Sequence, residues 1–191
     1  MPQCFVYTKK DKRYNPDSYS KRSTEGSIYD RELIGYKTLK SNDKNSSEIL
    51  ETLEIAGEKF PISSKFVDLK DEIIDSLYIL ELKEGWGENG AAIKDGAYKC
   101  AIGFLIKYFE YIHTHSSIVI STPEINPVRN GSIDLVWNTT NGYMLVNIAK
   151  KKDALQGTFF GFKKTNKKIK EGEIDIQNVE PPMALWMTTL T

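Results

Sequence analysis

The chain has 191 residues with 26 basic and 26 acidic side chains, a length that suits one domain with a substantial core plus a loosely attached arm. Zero net charge excludes a molecule that holds polyanions by its overall field, and no segment approaches about 18 uninterrupted apolar residues, so no membrane span is expected. The two cysteines, Cys4 and Cys100, share no metal-type spacing, and the N-terminus lacks an apolar stretch of signal length; a reduced, cytoplasmic protein is the expectation.

Residues 1–45 hold ten Lys/Arg against six Asp/Glu and show no sustained hydrophobic period. They read as a polar arm, separate from a single α+β domain over 46–191. Tyrosines are denser here than in a fully disordered segment, so the arm is expected to be partly ordered and to order further on a partner. Tyr14, Tyr19, Tyr29 and Tyr36 are its candidate protein-binding residues.

ETLEIAGEKFPI alternates around Leu53, Ile55, Phe60 and Ile62, which suggests a small hairpin, with a short helix ending at Gly57 as the competing reading. FVDLKDEIIDSLYILELKE then places Phe66, Leu69, Ile73, Leu77 and Leu80 three or four apart, the spacing of an amphipathic helix. After GWGENG the helical spacing resumes at Ala97, Cys100, Ala101, Phe104, Leu105, Tyr108 and Ile112. Ile102, Ile106 and Phe109 add a second apolar side, so this helix is expected to be central.

From Ser117 the period becomes two. SIVIST, PEINPVR, IDLVWNT, YMLVNIA and GTFFGFK read as strands, with Asn-Gly at 130–131 and 141–142 as hairpin turns because both residues tolerate positive φ. KKTNKKIKEGEIDIQN reads as a charged loop, and EPPMALWMTTL as a short final helix that opens with proline. The expected fold is α+β: an αα-hairpin packed on an antiparallel β-meander of about four strands, with the polar arm in front.

Gly85, Gly87 and Gly90 match the G-x-G-x-x-G spacing of a dinucleotide loop, but a helix precedes them where that loop needs a strand. Glu84 and Glu88 would also repel a phosphate. The loop is therefore read as a turn, with Gly85 ending the first helix and Trp86 tucked beneath; no cofactor is expected. Trp86, Glu88, Asn89 and Trp137 are kept as candidate turn or pocket residues.

Catalytic chemistry is thinly represented. A PD-(D/E)xK nuclease would need an acid, here Asp134, and Glu-x-Lys on the next strand; the chain has Asn147-Ile148-Ala149 with Lys150 one position late, so such a site would be degenerate. His113 and His115 lack companions for a metal set and are expected to face solvent or to complement the helix dipole. No catalytic residue and no metal ligand is assigned. Residues 150–170 carry eight lysines against one aspartate, and Lys150, Lys151, Lys152, Lys163, Lys164, Lys167 and Lys168 flank Phe159, Phe160 and Phe162. Cations beside aromatics suit a nucleic-acid rim, although lysines also protect sheet edges from aggregation.

Gly85, Trp86, Gly90, Ala91 and Ile93, then Ala101, Phe104 and Leu105, then Pro123, Ile125, Pro127, Gly131, Ile133, Leu135 and Trp137 form a pattern. It resembles an uncharacterised bacterial family of small proteins with a GWDGYGA-like turn and a P-x-I-x-P…G-x-I-x-L-x-W hairpin. The resemblance covers roughly residues 66–165; where members carry Asp-Gly after the tryptophan, this chain has Gly87-Glu88. It implies a shared fold, Trp86 and Trp137 as core or pocket-forming residues, and a loose association with mobile and defence-related genes, but no reaction. The first functional expectation is a non-catalytic protein-interaction or accessory protein of such a system. The alternatives are a nucleic-acid-binding regulator and a degenerate nuclease, with oligomeric state left open.

Overall fold

The computed structural model describes residues 50–151, 154–165 and 169–191. Tyr14, Tyr19, Tyr29, Tyr36, Lys152, Lys167 and Lys168 lie outside the described residues.

The first element is a hairpin of β1 (Leu50–Ile55) and β2 (Glu58–Ser63), so the competing helix is not formed. Ala56 and Gly57 both take positive φ, 47° and 76°, which gives the two-residue turn whose twist matches paired strands. Leu53, Ile55, Phe60 and Ile62 turn inward, as the alternation predicts. α1 (Val67–Asp75) follows and tightens into a 3-10 turn over Ser76–Glu81. At that junction the Ser76 hydroxyl donates to the Ile73 carbonyl at 2.9 Å, the kind of side-chain bond to the preceding turn that bends a helix.

α2 (Asp95–Ser116) runs antiparallel to α1. Phe66, before α1, meets Phe109 near the end of α2 at 5.5 Å between ring centroids, while the Tyr98 hydroxyl at its start lies 3.1 Å from the Ile73 carbonyl oxygen. The αα-hairpin is therefore formed. Ten residues of α2 are buried around its circumference, because it has the β1–β2 hairpin on one side and a second sheet on the other. Tyr98 is fully buried, and burial raises its phenol pKa far above the ordinary value; its hydroxyl donates to that of Ser76 at 2.7 Å.

The second sheet is a five-stranded antiparallel meander: β3 (Glu124–Pro127), β4 (Ile133–Asn138), β5 (Gly142–Lys151), β6 (Ala154–Lys163) and β7 (Ile169–Ile174). Three details differ from the expectation. Ile169–Ile174 is a strand rather than a loop: it lies at the rim, where Lys170, Glu171 and Glu173 are in water and no hydrophobic period betrays it. Ser117–Thr122 pairs with no strand among the described residues; its Ile118 and Val119 are exposed, and Ser121 is held by its carbonyl, which accepts from Trp137 Nε1 at 2.8 Å. Gly85 does not end the first helix, since the chain is already extended at Leu82.

One face of the meander is core. Ile133, Leu135, Trp137, Met144, Val146 and Ile148 point to α2 and are buried. On β6 the same face carries Gly157 and Gly161, opposite Ile148 and Met144. A Cβ at Gly161 would collide with the Trp186 ring of α3 (Pro181–Met187), and one at Gly142 would lie 2.7 Å from Leu190. Gly142 is thus glycine for close approach, as its φ is not positive; the turn before it is closed by Thr139 N–H donating to its carbonyl. Of the two Asn-Gly pairs, only Gly131 takes positive φ, 84°.

Candidate functional site

The glycine loop and the β3–β4 turn form one structure. Ala91 N–H donates to Arg129 O at 2.7 Å, the Arg129 guanidinium lies 3.3 Å from the Glu88 carboxylate, and a Cβ on Gly131 would be 3.6 Å from that of Ala91. Within the loop Gly85 N–H donates to Gly90 O, Gly90 N–H to Trp86 O, and Ala92 N–H to the Glu84 carboxylate. Trp86 is half-buried; its Nε1 donates to Ala91 O at 2.7 Å, and its ring fills the space a Gly90 side chain would need. These amides are bonded within the protein, which leaves the loop little with which to hold an anion. Trp137 is buried core, whereas Glu88 and Asn89 are exposed.

Asp134 lies on the face of the sheet away from the helices, opposite Asn147 on β5. The Asn147 amide donates to Asp134 Oδ1 at 2.6 Å and to Ser132 Oγ at 2.8 Å, and Ser132 donates to Asn130 Oδ1. Burial pushes the Asp134 carboxyl above the usual range, and the Asn147 bond only partly opposes that. Asn147 stands where a metal site would place its second carboxylate. Among the described residues no group of three or more His, Cys, Asp or Glu side chains is arranged to hold a metal. His113 is half-buried with its ring edge-on to Phe66 at 5.8 Å, and Lys65 Nζ is 3.3 Å from its Nε2; His115 is exposed, stacked on Tyr111.

The described lysines do not make one rim. Lys150 and Lys151 pair with Leu155 and Ala154 at one end of the β5–β6 hairpin, while Lys163 pairs with Gly142 at the other. Nine steps of extended chain, from residue 154 to 163, put about 30 Å between the two groups. Lys164 is committed to the β4–β5 turn, donating to Asn138 Oδ1 and Thr139 O.

The same face that carries Asp134 presents a patch the sequence did not single out. Register places Val136, Leu145, Phe160 and Glu171 in one cross-strand row and Asn138, Tyr143, Phe162 and Ile169 in the next. Tyr143 and Phe162 stack at 5.8 Å, and Phe160 meets Phe162 edge-on at 6.2 Å. Val136, Tyr143, Leu145, Phe160 and Phe162 are half-buried, and Ile169 is 57% exposed. Among the described residues, the helices lie on the opposite, buried face. Phe160 and Phe162 were visible in the sequence beside the lysines, but Val136 and Leu145 join them only through register, which single-strand periodicity does not contain.

No described helix is long and apolar enough to cross a membrane. Comparison with protein-family models, with curated proteins and with solved structures gives no match.

Proposed function

We propose that this chain is a protein-interaction domain without a reaction of its own, and that it engages its partner through the outer face of the meander. The observation that carries the proposal is the aromatic and aliphatic pair of rows on that face. A solvent-facing sheet surface ordinarily alternates apolar-in with polar-out. Here both sides of β5 and β6 are apolar over the same stretch: Met144 and Val146 inward, Tyr143, Leu145, Phe160 and Phe162 outward. Contiguous apolar surface of this kind on a soluble protein marks an interaction site, and aromatic anchors dominate the energy of such interfaces. The resemblance over residues 66–165 supports an accessory role in a bacterial mobile-element or defence system.

Affinity purification of the tagged full-length chain, with and without nuclease treatment, tests this beside a Leu145→Ser/Phe160→Ser double variant. A partner protein that survives nuclease and is lost with the variant, at unchanged circular dichroism, is the expected result. Retention of the partner by the variant overturns the assignment to this face. Recovery that vanishes with nuclease transfers attention to Lys150 and Lys151.

A further inference from the structure

The two rims of the meander are finished differently. At the β3 rim the Ile125 N–H, pointing away from β4, donates to the Glu72 carboxylate at 3.0 Å, and α1 with its 3-10 turn packs alongside. That edge is closed. At the other rim β7 is bonded to β6, and residues 169–173 are all exposed; among the described residues no group bonds to their far side. A six-residue strand in this position offers alternate backbone N–H and C=O groups to any chain that can lie beside it.

Side chains decide which chain that is. The outer face of β7 shows Ile169, Glu171 and Glu173, and these continue the rows of Phe162, Phe160 and Thr158. On the inner side Lys170 is held over the Trp186 ring at 5.7 Å, and Gly172 lets the Phe159 ring come close, where a Cβ would meet it at 3.2 Å. A second copy fits poorly: antiparallel self-pairing centred on Glu171 or on Gly172 sets carboxylate against carboxylate, and like charges directly opposite destabilise a pair.

We infer that β7 is a docking edge for an extended segment of a protein partner that carries lysine or arginine at alternate positions. In antiparallel register that segment reads cation-x-cation-x-apolar, its cations opposite Glu173 and Glu171 and its apolar residue opposite Ile169. Backbone bonds supply attachment and the alternate side chains supply selection, as in other strand additions. The inference rests on the protein-interaction reading of the adjoining face, whose aromatic rows the added strand would extend.

The test uses the full chain and two fluorescein-labelled peptides, one with the core Lys-Thr-Lys-Thr-Val and one with Glu-Thr-Glu-Thr-Val, read by fluorescence anisotropy. The lysine peptide is expected to bind about tenfold tighter than the glutamate peptide, since two cross-strand pairs change from attractive to repulsive. A Glu171→Lys/Glu173→Lys variant, altered at exposed positions and checked by circular dichroism, should reverse the preference. N-methylation of alternate amides in the lysine peptide should abolish binding. Equal binding of both peptides, a preference untouched by the double variant, or undiminished binding of the N-methylated peptide overturns the edge assignment; so does sedimentation showing self-association that the variant alters. If the peptides fail while Leu145→Ser/Phe160→Ser still releases the natural partner, the edge falls and the face remains.

Discussion

The two faces of the meander are built from similar residues and have opposite fates. Along β6 the inner face reads Leu155, Gly157, Phe159, Gly161 and the outer face Gln156, Thr158, Phe160, Phe162. Phenylalanine stands on both. What separates them is glycine: at Gly157 and Gly161 the inner face is hollow, and the hollows are filled by Ile176 and by Trp186. The outer phenylalanines pack on each other and on Tyr143 instead. An aromatic residue on a strand thus says little about which side is core, whereas a glycine opposite a buried residue says that something large lies above it.

The largest test of this contrast is Trp186→Ala. Emptying the groove over Gly161 should destabilise the fold by about 3–5 kcal/mol in chemical denaturation. Gly161→Val should cost about 1–3 kcal/mol by overpacking the same groove, and the double variant should cost less than the two losses added. Strict additivity would mean that Trp186 and Gly161 are not partners.

Glu72→Ala should have the next largest effect. It leaves the Ile125 N–H without its acceptor, and a lost bond to a charged group typically removes about 1–3 kcal/mol. Hydrogen exchange at Ile125 should accelerate, and Glu72→Gln, whose side-chain oxygen still accepts, should recover most of the protection. Unchanged exchange would show that the β3 edge is closed by packing alone.

On the outer face Phe160→Ser should cost about 1–2 kcal/mol, from a half-buried ring and its aromatic contacts, while removing partner binding. Stability lost on the scale of Trp186→Ala would mark the outer rows as core.

The smallest effect expected is on pH dependence. Burial raises the Asp134 carboxyl, so its protonated form is favoured in the folded state. The stability it contributes is complete below the unfolded value of about 4 and is lost as pH rises through the raised folded value. Asp134→Asn should therefore be slightly more stable than the parent at neutral pH, with the difference shrinking towards acid. The substitution keeps the side chain's shape, and the oxygen of the introduced amide can still accept from Asn147. An advantage that grows on acidification would contradict the direction assigned to Asp134.

Much of the fold was legible along the chain. The long helix over 95–116 was marked by apolar residues on two sides, and the β1–β2 hairpin by alternation around Ala56-Gly57. The same patterns misled where a segment lacked a strand partner or carried too many charges: among the described residues SIVIST alternates yet pairs with no strand, and IKEGEI pairs while carrying Lys170, Glu171 and Glu173. Hydrophobic period reports burial, and it is silent for a strand at the rim of a sheet. The lysines were near one another in sequence around β6, but an extended strand carries its two ends apart.

Local chemistry by itself determined most of which segments are helix and which are strand, because backbone conformation and side-chain period act over a few residues. It also disfavoured phosphate binding at GWGENG, where acids stand among the glycines. Only the tertiary structure decided that the glycine loop bonds to the β3–β4 turn, that Trp186 seats on Gly161, and that Val136, Leu145 and Phe160 share one row. Those outcomes depend on strand register and on contacts between residues tens of positions apart, and long-range register is set by the collective fit of the core rather than by any single segment.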